Sequence, residues 1–340
     1  MVMIIIKRKQ SQGFSLVELL VAMVVGLIVV SGAFSLHSGS RKTQVKNEEQ
    51  MDMVADARFA IEMIAYDLHH AGMWGGTNKD GLIACKSTDA PCVSTSTGDT
   101  PPTAMASGDC DVGWYYDLTR PVFATDNSNP YGGTCIPAGE GYVANTDVLE
   151  VRYADSNVAL ALMPNQVYVR SNFVNGRVFV GSTPPVLQAY ETSPLTRNHE
   201  LRAYAYYVSD YTDAVGDGIP SLRRVALVNQ PSLQTQTLIS GVVDMQVQFG
   251  VDTNADQIVD RYDHPSVVTA NNDWLNVYSA KIMLLMRTDK QQLGINTVKT
   301  FQIPGSFHIN GVAKTNFGGQ DDFRYFMISS VVDMKNLKQI

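Results

Sequence analysis

Residues 14–36 read FSLVELLVAMVVGLIVVSGAFSL, a stretch with no Lys, Arg or Asp and a single acid, Glu18. About 20 apolar helical residues are enough to cross the hydrocarbon core of a bilayer, whereas the apolar core of a cleavable secretory signal is usually about 7 to 15 residues long. The length therefore predicts a membrane-spanning helix over 14–36. The small residues Ser31, Gly32 and Ala33 leave a conventional signal peptide, cut after Ala33, as the alternative.

Between residues 37 and 72, apolar residues recur at spacings of three and four, which is typical of a helix with one buried face. The apolar positions are Val54, Ala57, Ile61, Ile64, Leu68 and Ala71. The positions assigned to the polar face include Asp52, Asp56, Arg58, Glu62 and Asp67. We expect this amphipathic half of the helix to pack against the protein's own globular domain and to stop at Gly72. A long anchored helix of this kind also suits the core of a filament.

A specific motif surrounds the start of the apolar stretch. The basic run Lys7-Arg8-Lys9 is followed by Gly13, then Phe14, and then an acid four residues later, Glu18. This combination resembles the class III signal of type IV prepilins. The resemblance implies that residues 1–13 are a leader peptide, that prepilin peptidase cleaves between Gly13 and Phe14, and that the new amine of Phe14 is methylated.

Glu18 is the one acid in the apolar stretch, and burying its charge in a membrane would be costly. Cleavage after Gly13 would create a cationic amine on Phe14 close to this helix. In a filament, the Glu18 carboxylate of one subunit could pair with the N-terminal ammonium of a neighbour, so that each charge compensates the other. The alternative is that the Glu18 side chain extends to the membrane surface and pairs with nothing.

Residues 73–340 are predicted to form a β-rich globular domain. Apolar and polar residues alternate from Val243 to Val251 and from Leu149 to Tyr153, as in strands with one buried face. Further strand candidates fall near 167–173, 201–208, 222–228, 277–287 and 325–333. Helical segments between these strands are not evident, which favours an α+β fold in which the long N-terminal helix packs on an antiparallel sheet.

A loop-rich insert is predicted over about 75–145, where Gly, Pro, Ser, Thr and Asn predominate. This insert contains all four cysteines, which are Cys85, Cys92, Cys110 and Cys135. An even number of cysteines in an exported segment indicates two disulfides, with three possible connectivities. We expect Cys85 to pair with Cys92 and Cys110 with Cys135, because these bonds close the shortest loops. Zinc is the alternative, but no CxxC or nearby Cys/His spacing supports it.

A second motif, from Asp252 to Asp263, places oxygen-bearing residues at alternate positions. The candidate ligands are Asp252, Asn254, Asp256, the backbone carbonyl of Ile258, Asp260 and Asp263. This spacing matches a loop that wraps around Ca²⁺, except that Gln257 stands where Gly is preferred and Asp263 where Glu is usual. The alternatives are a loop that bound Ca²⁺ stabilises as a structural cofactor, and an acidic, solvated turn without a metal.

The layout as a whole resembles the PilW-type minor pilins, which are related to the J pseudopilin of type II secretion. The segments Pro220–Arg224 and Gly241–Val247 fit that resemblance. It implies a type IV pilin-like fold and a subunit that primes pilus assembly and sits at the filament tip. It also implies an inner-membrane anchor with a periplasmic C-terminal domain in a Gram-negative bacterium. The implied partners are other minor pilins, the major pilin, the inner-membrane assembly machinery, prepilin peptidase and a tip adhesin.

Other function classes find little support in the sequence. A net charge of −7 and no long Lys/Arg run argue against nucleic-acid binding. The chain contains no GxSxG, HExxH, GxxxxGK[ST] or GxGxxG motif, so a membrane-tethered enzyme is the weaker alternative. A minor pseudopilin of a type II secretion system stays open, because it would share the leader and the fold.

Overall fold

The computed structural model describes residues 15–83, 118, 120–173, 176–182, 184, 195–228, 232–291, 308–309, 312–313 and 323–338. The chain divides into two compact units, residues 1–52 and residues 53–340. The predicted insert, about 75–145, lies partly outside the described residues. Gly13, Phe14, Cys85, Cys92 and Cys110 lie entirely outside them.

One long helix, α1, extends from Leu16 to His70. By length and composition α1 can cross a membrane, and its most apolar window is not buried within the protein. Its second half is buried along one face, at Met53, Ala57, Ala60, Ile61, Ile64, Asp67 and Leu68. After the helix ends, Gly72 adopts a left-handed φ of 75°, and a Cβ at that position would collide with Leu337. Glycine is therefore required where the chain leaves the helix.

The remaining elements are mostly strands. The short helices are α2 (Asp80–Ile83) and α3 (Pro265–Asn271). The strands are β1 (Val122–Thr125), β2 (Val148–Val158), β3 (Val167–Ser171), β4 (Gly176–Val180), β5 (Arg197–Ser209), β6 (Ser221–Val228), β7 (Ser232–Ser240), β8 (Val242–Val251), β9 (Arg261–Asp263), β10 (Val277–Arg287), β11 (His308–Ile309), β12 (Val312–Ala313) and β13 (Tyr325–Asp333).

All described strand pairs are antiparallel. The larger sheet has the order β1-β2-β5-β3-β4, with β6 also paired to β5 and β7 to β6. The smaller sheet has the order β13-β10-β8-β9, and β11 and β12 form a separate hairpin. The α+β prediction is confirmed, but the expected single sheet is two principal sheets in the described part of the chain.

The buried half of α1 packs on a core to which both principal sheets contribute. Ile64 and Leu68 of the helix share this core with Val151 of β2, Tyr206 of β5 and Val247 of β8. The opposite face of the larger sheet has its own core, which Trp74, Ile83, Tyr131 and Ile136 cover. The larger sheet is therefore covered by the helix on one side and by connecting segments on the other.

Asp147 joins the two principal sheets at the start of β2. Its backbone N–H donates to the carbonyl of Met245 on β8 at 3.0 Å, and its carboxylate accepts from the backbone N–H groups of Val247 and Asn127, each at 2.8 Å. The side chain is fully buried. Burial raises the pKa of Asp147 well above its usual range, against the opposing effect of the two amides that donate to it.

Two sequence-based expectations need correction in this part of the chain. The loop-rich insert contains a strand, β1, which adds to the edge of the larger sheet through β2. A short helix, α3, does lie between strands, and Pro265 at its start supplies the fixed φ that suits a first helical turn. The connection through α3, residues 264–276, joins β9 to β10, which both pair antiparallel with β8 and not with each other. Every described strand pair is therefore antiparallel, and the fold class is unchanged.

Candidate functional site

The start of α1 is closed by a reciprocal pair of hydrogen bonds. The Ser15 hydroxyl accepts from the backbone N–H of Glu18 at 3.2 Å, and Glu18 Oε2 accepts from the backbone N–H of Ser15 at 3.1 Å. This is a capping box, in which two amides that lack helical partners are satisfied by side chains. The sequence contains its signal, Ser15-x-x-Glu18, but Glu18 was predicted to pair with a neighbouring subunit or to extend to the membrane surface, and not to cap the helix.

The apolar half of α1 presents its side chains to the surroundings on all sides. Leu16, Leu20, Leu27 and Phe34 are each more than half exposed. Exposed apolar surface of this extent is unfavourable in water and favourable in lipid or between packed helices. The helix therefore has the character of an anchor over this half.

Asp67 lies in the buried stripe of α1, although the sequence analysis placed it on the polar face. Its side chain is 3% exposed. It lies three residues after Ile64 and four before Ala71, so the same periodicity that identified the stripe also includes this acid. The prediction that Asp67 lies on the polar face was wrong, because the position of a residue along the helix, and not its charge, determines which face it occupies.

Side chains from three adjacent strands surround the Asp67 carboxylate. Tyr153 on β2 donates its hydroxyl to Oδ1 at 2.6 Å, and Tyr206 on β5 donates its hydroxyl to Oδ2. Arg224 on β6 brings Nη1 to 3.8 Å from Oδ2. Burial raises the pKa of Asp67, and the hydrogen bonds from the two tyrosines oppose this increase. We call Asp67, Tyr153, Tyr206 and Arg224 the Asp67 cluster.

The adjacent arginines of β6 point to opposite faces of the larger sheet, as neighbouring strand residues must. Arg224 faces α1 and also lies over the ring of Tyr204, at 4.1 Å from its centroid. Arg223 faces the other way, where Nη1 contacts Glu140 Oε2 at 3.1 Å and the guanidinium lies 3.9 Å from the Tyr211 ring centroid. Arg224 thus contacts the helix on one face of the larger sheet, and Arg223 contacts the connecting segment around Glu140 on the other face.

Two family models match the chain. The prokaryotic N-terminal methylation motif matches residues 8–34, and the Type IV Pilus-assembly protein W family, PilW, matches residues 205–336. The first covers the end of the predicted leader and most of the apolar half of α1. The second begins within β5 and ends after β13. Together the two matches support a PilW-type minor pilin of the type IV pilus. A pilin of this family is a structural subunit, which implies association with a membrane and interaction with other pilus components.

Comparison with individual proteins adds little to this assignment. A search of curated proteins finds no match to this pilin. Among solved structures, the type IV-like pilin TTHA1219 from Thermus thermophilus is similar with a TM-score of 0.29 and 10% sequence identity, over 58% of this chain and 82% of that chain. We base no conclusion on that similarity.

The predicted calcium loop of the pilin is closed by hydrogen bonds of its own. Asp252 accepts three backbone N–H groups, from Asn254 and Ala255 at Oδ1 and from Gln257 at Oδ2, over 2.7–3.0 Å. Asp260 accepts the backbone N–H and the hydroxyl of Thr253, each at 2.7 Å. The hydrogen bond from the Thr253 hydroxyl is the main reason why the pKa of Asp260 is lowered. Two of the predicted ligands therefore already stabilise the turn.

The other predicted ligands are spread along the same segment. Asn254 accepts from the Asp256 amide and Asp256 from the Ile258 amide. Asp263 lies in β9 and pairs with Arg261. Within the described residues, no group of three or more His, Cys, Asp or Glu side chains is arranged to hold a metal. Calcium binding stays a prediction.

Of the four cysteines, the structure describes Cys135. It is disulfide-bonded and buried, in the core on the outer face of the larger sheet. Because Cys85, Cys92 and Cys110 lie outside the described residues, the pairing of Cys110 with Cys135 stays a prediction.

Ser171 and His199 both lie beside Gly75, in the turn that follows α1. Ser171 Oγ and His199 Nε2 lie 2.8 and 3.1 Å from where a Cβ on Gly75 would be. The Ser171 hydroxyl donates to the carbonyl of Trp74 and accepts from the N–H of Gly76 at 2.7 Å. This serine holds the turn after α1 in place, so its hydroxyl is committed to structure.

Proposed function

We propose that this minor pilin primes pilus assembly and occupies the filament tip. The observation that carries the proposal is the contrast within α1. The half over residues 16–36 is exposed and uncharged apart from Glu18, whereas the half over residues 53–70 is buried against the sheets. The globular unit of residues 53–340 is bulky, and such a unit favours a rare or terminal subunit over one that is packed throughout a filament.

We also propose a route to the filament. The chain is inserted in the inner membrane of a Gram-negative bacterium in a single pass, with residues 73–340 in the periplasm, and it then leaves the membrane for the pilus. The disulfide at Cys135 supports this orientation, because disulfides persist in oxidising compartments. Prepilin peptidase removes residues 1–13, and the amine of Phe14 is methylated.

The proposed partners are other minor pilins, the major pilin, the inner-membrane assembly machinery and a tip adhesin. In the filament, the Glu18 carboxylate pairs with the Phe14 ammonium of a neighbour. The capping bond to the Ser15 amide uses Oε2, and a carboxylate has a second oxygen that can accept from another donor. The pilin acts through these contacts and catalyses no reaction.

The processing step is tested by the intact mass of the protein from a host that has prepilin peptidase. We expect a mature species that begins at methylated Phe14. The same measurement on Gly13→Ala, and on wild type from a host without the enzyme, should give the uncleaved chain. An N-terminus at Phe34 would instead identify a secreted soluble protein and would refute the proposal.

Deletion separates this function from that of a type II secretion pseudopilin. Loss of the minor pilin should abolish or strongly reduce surface pili, counted by electron microscopy, and leave secretion of exoproteins unchanged. Normal pili together with a secretion defect would favour the pseudopilin instead.

A further inference from the structure

The apolar contacts between α1 and the sheets do not by themselves fix one position of the helix. Its buried face repeats small and branched apolar residues at spacings of three and four, including Ala57, Ile61, Ile64 and Leu68. A slide by one turn, about 5.4 Å, brings one apolar residue into the place of another. Most of the apolar surface that is buried in the observed position would therefore stay buried after such a slide.

Asp67 interrupts this repeat with a group that has directional requirements. Its two oxygens accept from Tyr153 and Tyr206, which lie on the paired strands β2 and β5. Tyr206 is in turn directly opposite Arg224 on β6. A single side chain of the helix therefore contacts three adjacent strands.

A one-turn slide would place Ile64 or Ala71 beneath the two tyrosine hydroxyls. Both hydroxyls would then lose their acceptor in a buried site, and the carboxylate would enter an apolar part of the core. Each such loss carries the full desolvation penalty of the polar group. The Asp67 cluster thus disfavours the alternative positions more than it strengthens the observed one.

Burial of a carboxylate is a poor means of stabilisation, since an apolar residue of similar size would dock the helix without desolvating a charge. Buried polar groups are best explained where they specify a register, as single polar residues do in coiled coils. The raised pKa of Asp67 agrees with a group that is energetically costly where it lies.

The register of α1 determines what the helix presents outward. Phe59 and Tyr66, which are 58% and 51% exposed, and the exposed Glu62 lie on the side away from the sheets. A slide or rotation of the helix would move this outer face relative to the surface of the globular unit.

We propose that Asp67 is a positioning residue that selects one register of α1 on the sheets, and thereby fixes the outer helix face that the pilin presents to other pilus subunits. The second part rests on the proposed function, whereas the first does not.

The test measures the helix position directly in the full-length protein in detergent. Spin labels are attached to a keto amino acid incorporated at positions 62 and 234, so that the native cysteines are untouched, and the distance between the labels is measured by pulsed electron resonance. Wild type should give one narrow distance. Asp67→Leu should give a broadened distribution, or a second distance shifted by about 5 Å, with a melting temperature no lower than that of wild type.

The matched control is Asp52→Leu, which replaces an exposed acid on the same helix and should leave the narrow distance unchanged. A single unshifted distance in Asp67→Leu would overturn the proposal. If Asp67→Leu does not accumulate, the double variant Tyr153→Phe with Tyr206→Phe removes both donors and keeps the rings. The same broadening is expected there, and an unchanged distance is equally decisive against the proposal.

Piliation separates the two parts of the proposal. Asp67→Leu should restore fewer pili to a deletion strain than wild type does at equal protein level. If the deletion strain is itself fully piliated, the proposed function fails, and the distance measurement still decides whether Asp67 sets the register.

Discussion

Glu18 has two roles at the residue scale, and they place different demands on its side chain. The capping bond to the Ser15 amide needs only an acceptor, which a Gln side chain also provides. Pairing with a neighbour's ammonium needs the negative charge. The two roles can therefore be separated by a single substitution.

We predict that Glu18→Gln keeps the first turn of α1 but fails to enter filaments. The expected result is normal leader cleavage and normal amide exchange at residues 16–19, together with loss of the pilin from sheared pili. Glu18→Ala serves as the comparison and should lose both the cap and the incorporation. Wild-type levels of Glu18→Gln in sheared pili would leave capping as the role of this residue.

The buried carboxylate of Asp147 should make stability depend on pH. Its native pKa is raised above the usual 3.8, so the folded state retains a proton that the unfolded state has lost. The free energy of unfolding should therefore fall as the pH rises from about 4 through the raised pKa. In urea titrations at a series of pH values, Asp147→Asn should show a shallower decline than wild type.

Asp217 provides a control of opposite sign. Backbone amides, led by that of Ile219, lower its pKa to about 2, so its contribution to stability is present above 3.8 and is lost as the pH falls toward 2. Asp217→Asn should change the slope of the stability profile only on its acid side, below about pH 4. If the free energy of unfolding changes with pH in the same way above pH 4 in wild type and in Asp147→Asn, the prediction for Asp147 is contradicted.

The loop between β8 and β9 is the part of the pilin where a metal would act at the scale of an element. Gln257 adopts a left-handed φ of 68° at the position where calcium loops prefer Gly. That conformation is unfavourable for a residue with a Cβ. We predict that Gln257→Gly raises the melting temperature with or without Ca²⁺, because it removes this strain, and that Ca²⁺ raises the melting temperature of the protein.

EGTA should reverse the effect, and Asp252→Asn should abolish it in titration calorimetry. Mg²⁺ at the same concentration is the control, because it dehydrates reluctantly and demands a tighter octahedral site. A melting temperature that is the same with Ca²⁺ and with EGTA would identify the segment as a solvated turn that its own hydrogen bonds hold closed.

The disulfide of Cys135 anchors a connecting segment to the outer face of the larger sheet. We predict that peptide mapping of the unreduced protein links Cys135 to Cys110, and that reduction costs about 2–5 kcal/mol of stability. The double variant Cys85→Ser with Cys92→Ser should keep that link and most of the stability. A peptide that joins Cys135 to Cys85 or Cys92 would contradict the pairing.

At the scale of the whole molecule, exposed apolar surface and buried core are divided between the two units. The apolar window of α1 lies in residues 1–52, whereas the helical residues of the core begin at Met53. We predict that a chain starting at Met53 folds, is monomeric in size-exclusion chromatography without detergent, and melts cooperatively. Asp67→Leu in that chain should also fold. Aggregation of the chain that starts at Met53 would show that the N-terminal half contributes to the fold.

Sequence by itself determined the features that depend on neighbouring residues. The anchor follows from an unbroken apolar run, and the prepilin resemblance from a few adjacent positions. The strands β6, β8, β10 and β13 agree with the alternating patterns to within a few residues. The polar strand β7 was missed, because Ser, Gln and Thr occupy six of its nine positions and no apolar period marks it.

Tertiary structure decided what depends on residues that are distant along the chain. The acceptors of the Tyr153 and Tyr206 hydroxyls lie 86 and 139 residues away, and Asp147 meets the Val247 amide across 100 residues. Local periodicity records which face of an element is buried, but it does not record what a buried carboxylate will meet there. The partners of Asp67 and Asp147 are created by strand pairing and by helix docking, so the roles of these acids exist only once the chain is folded.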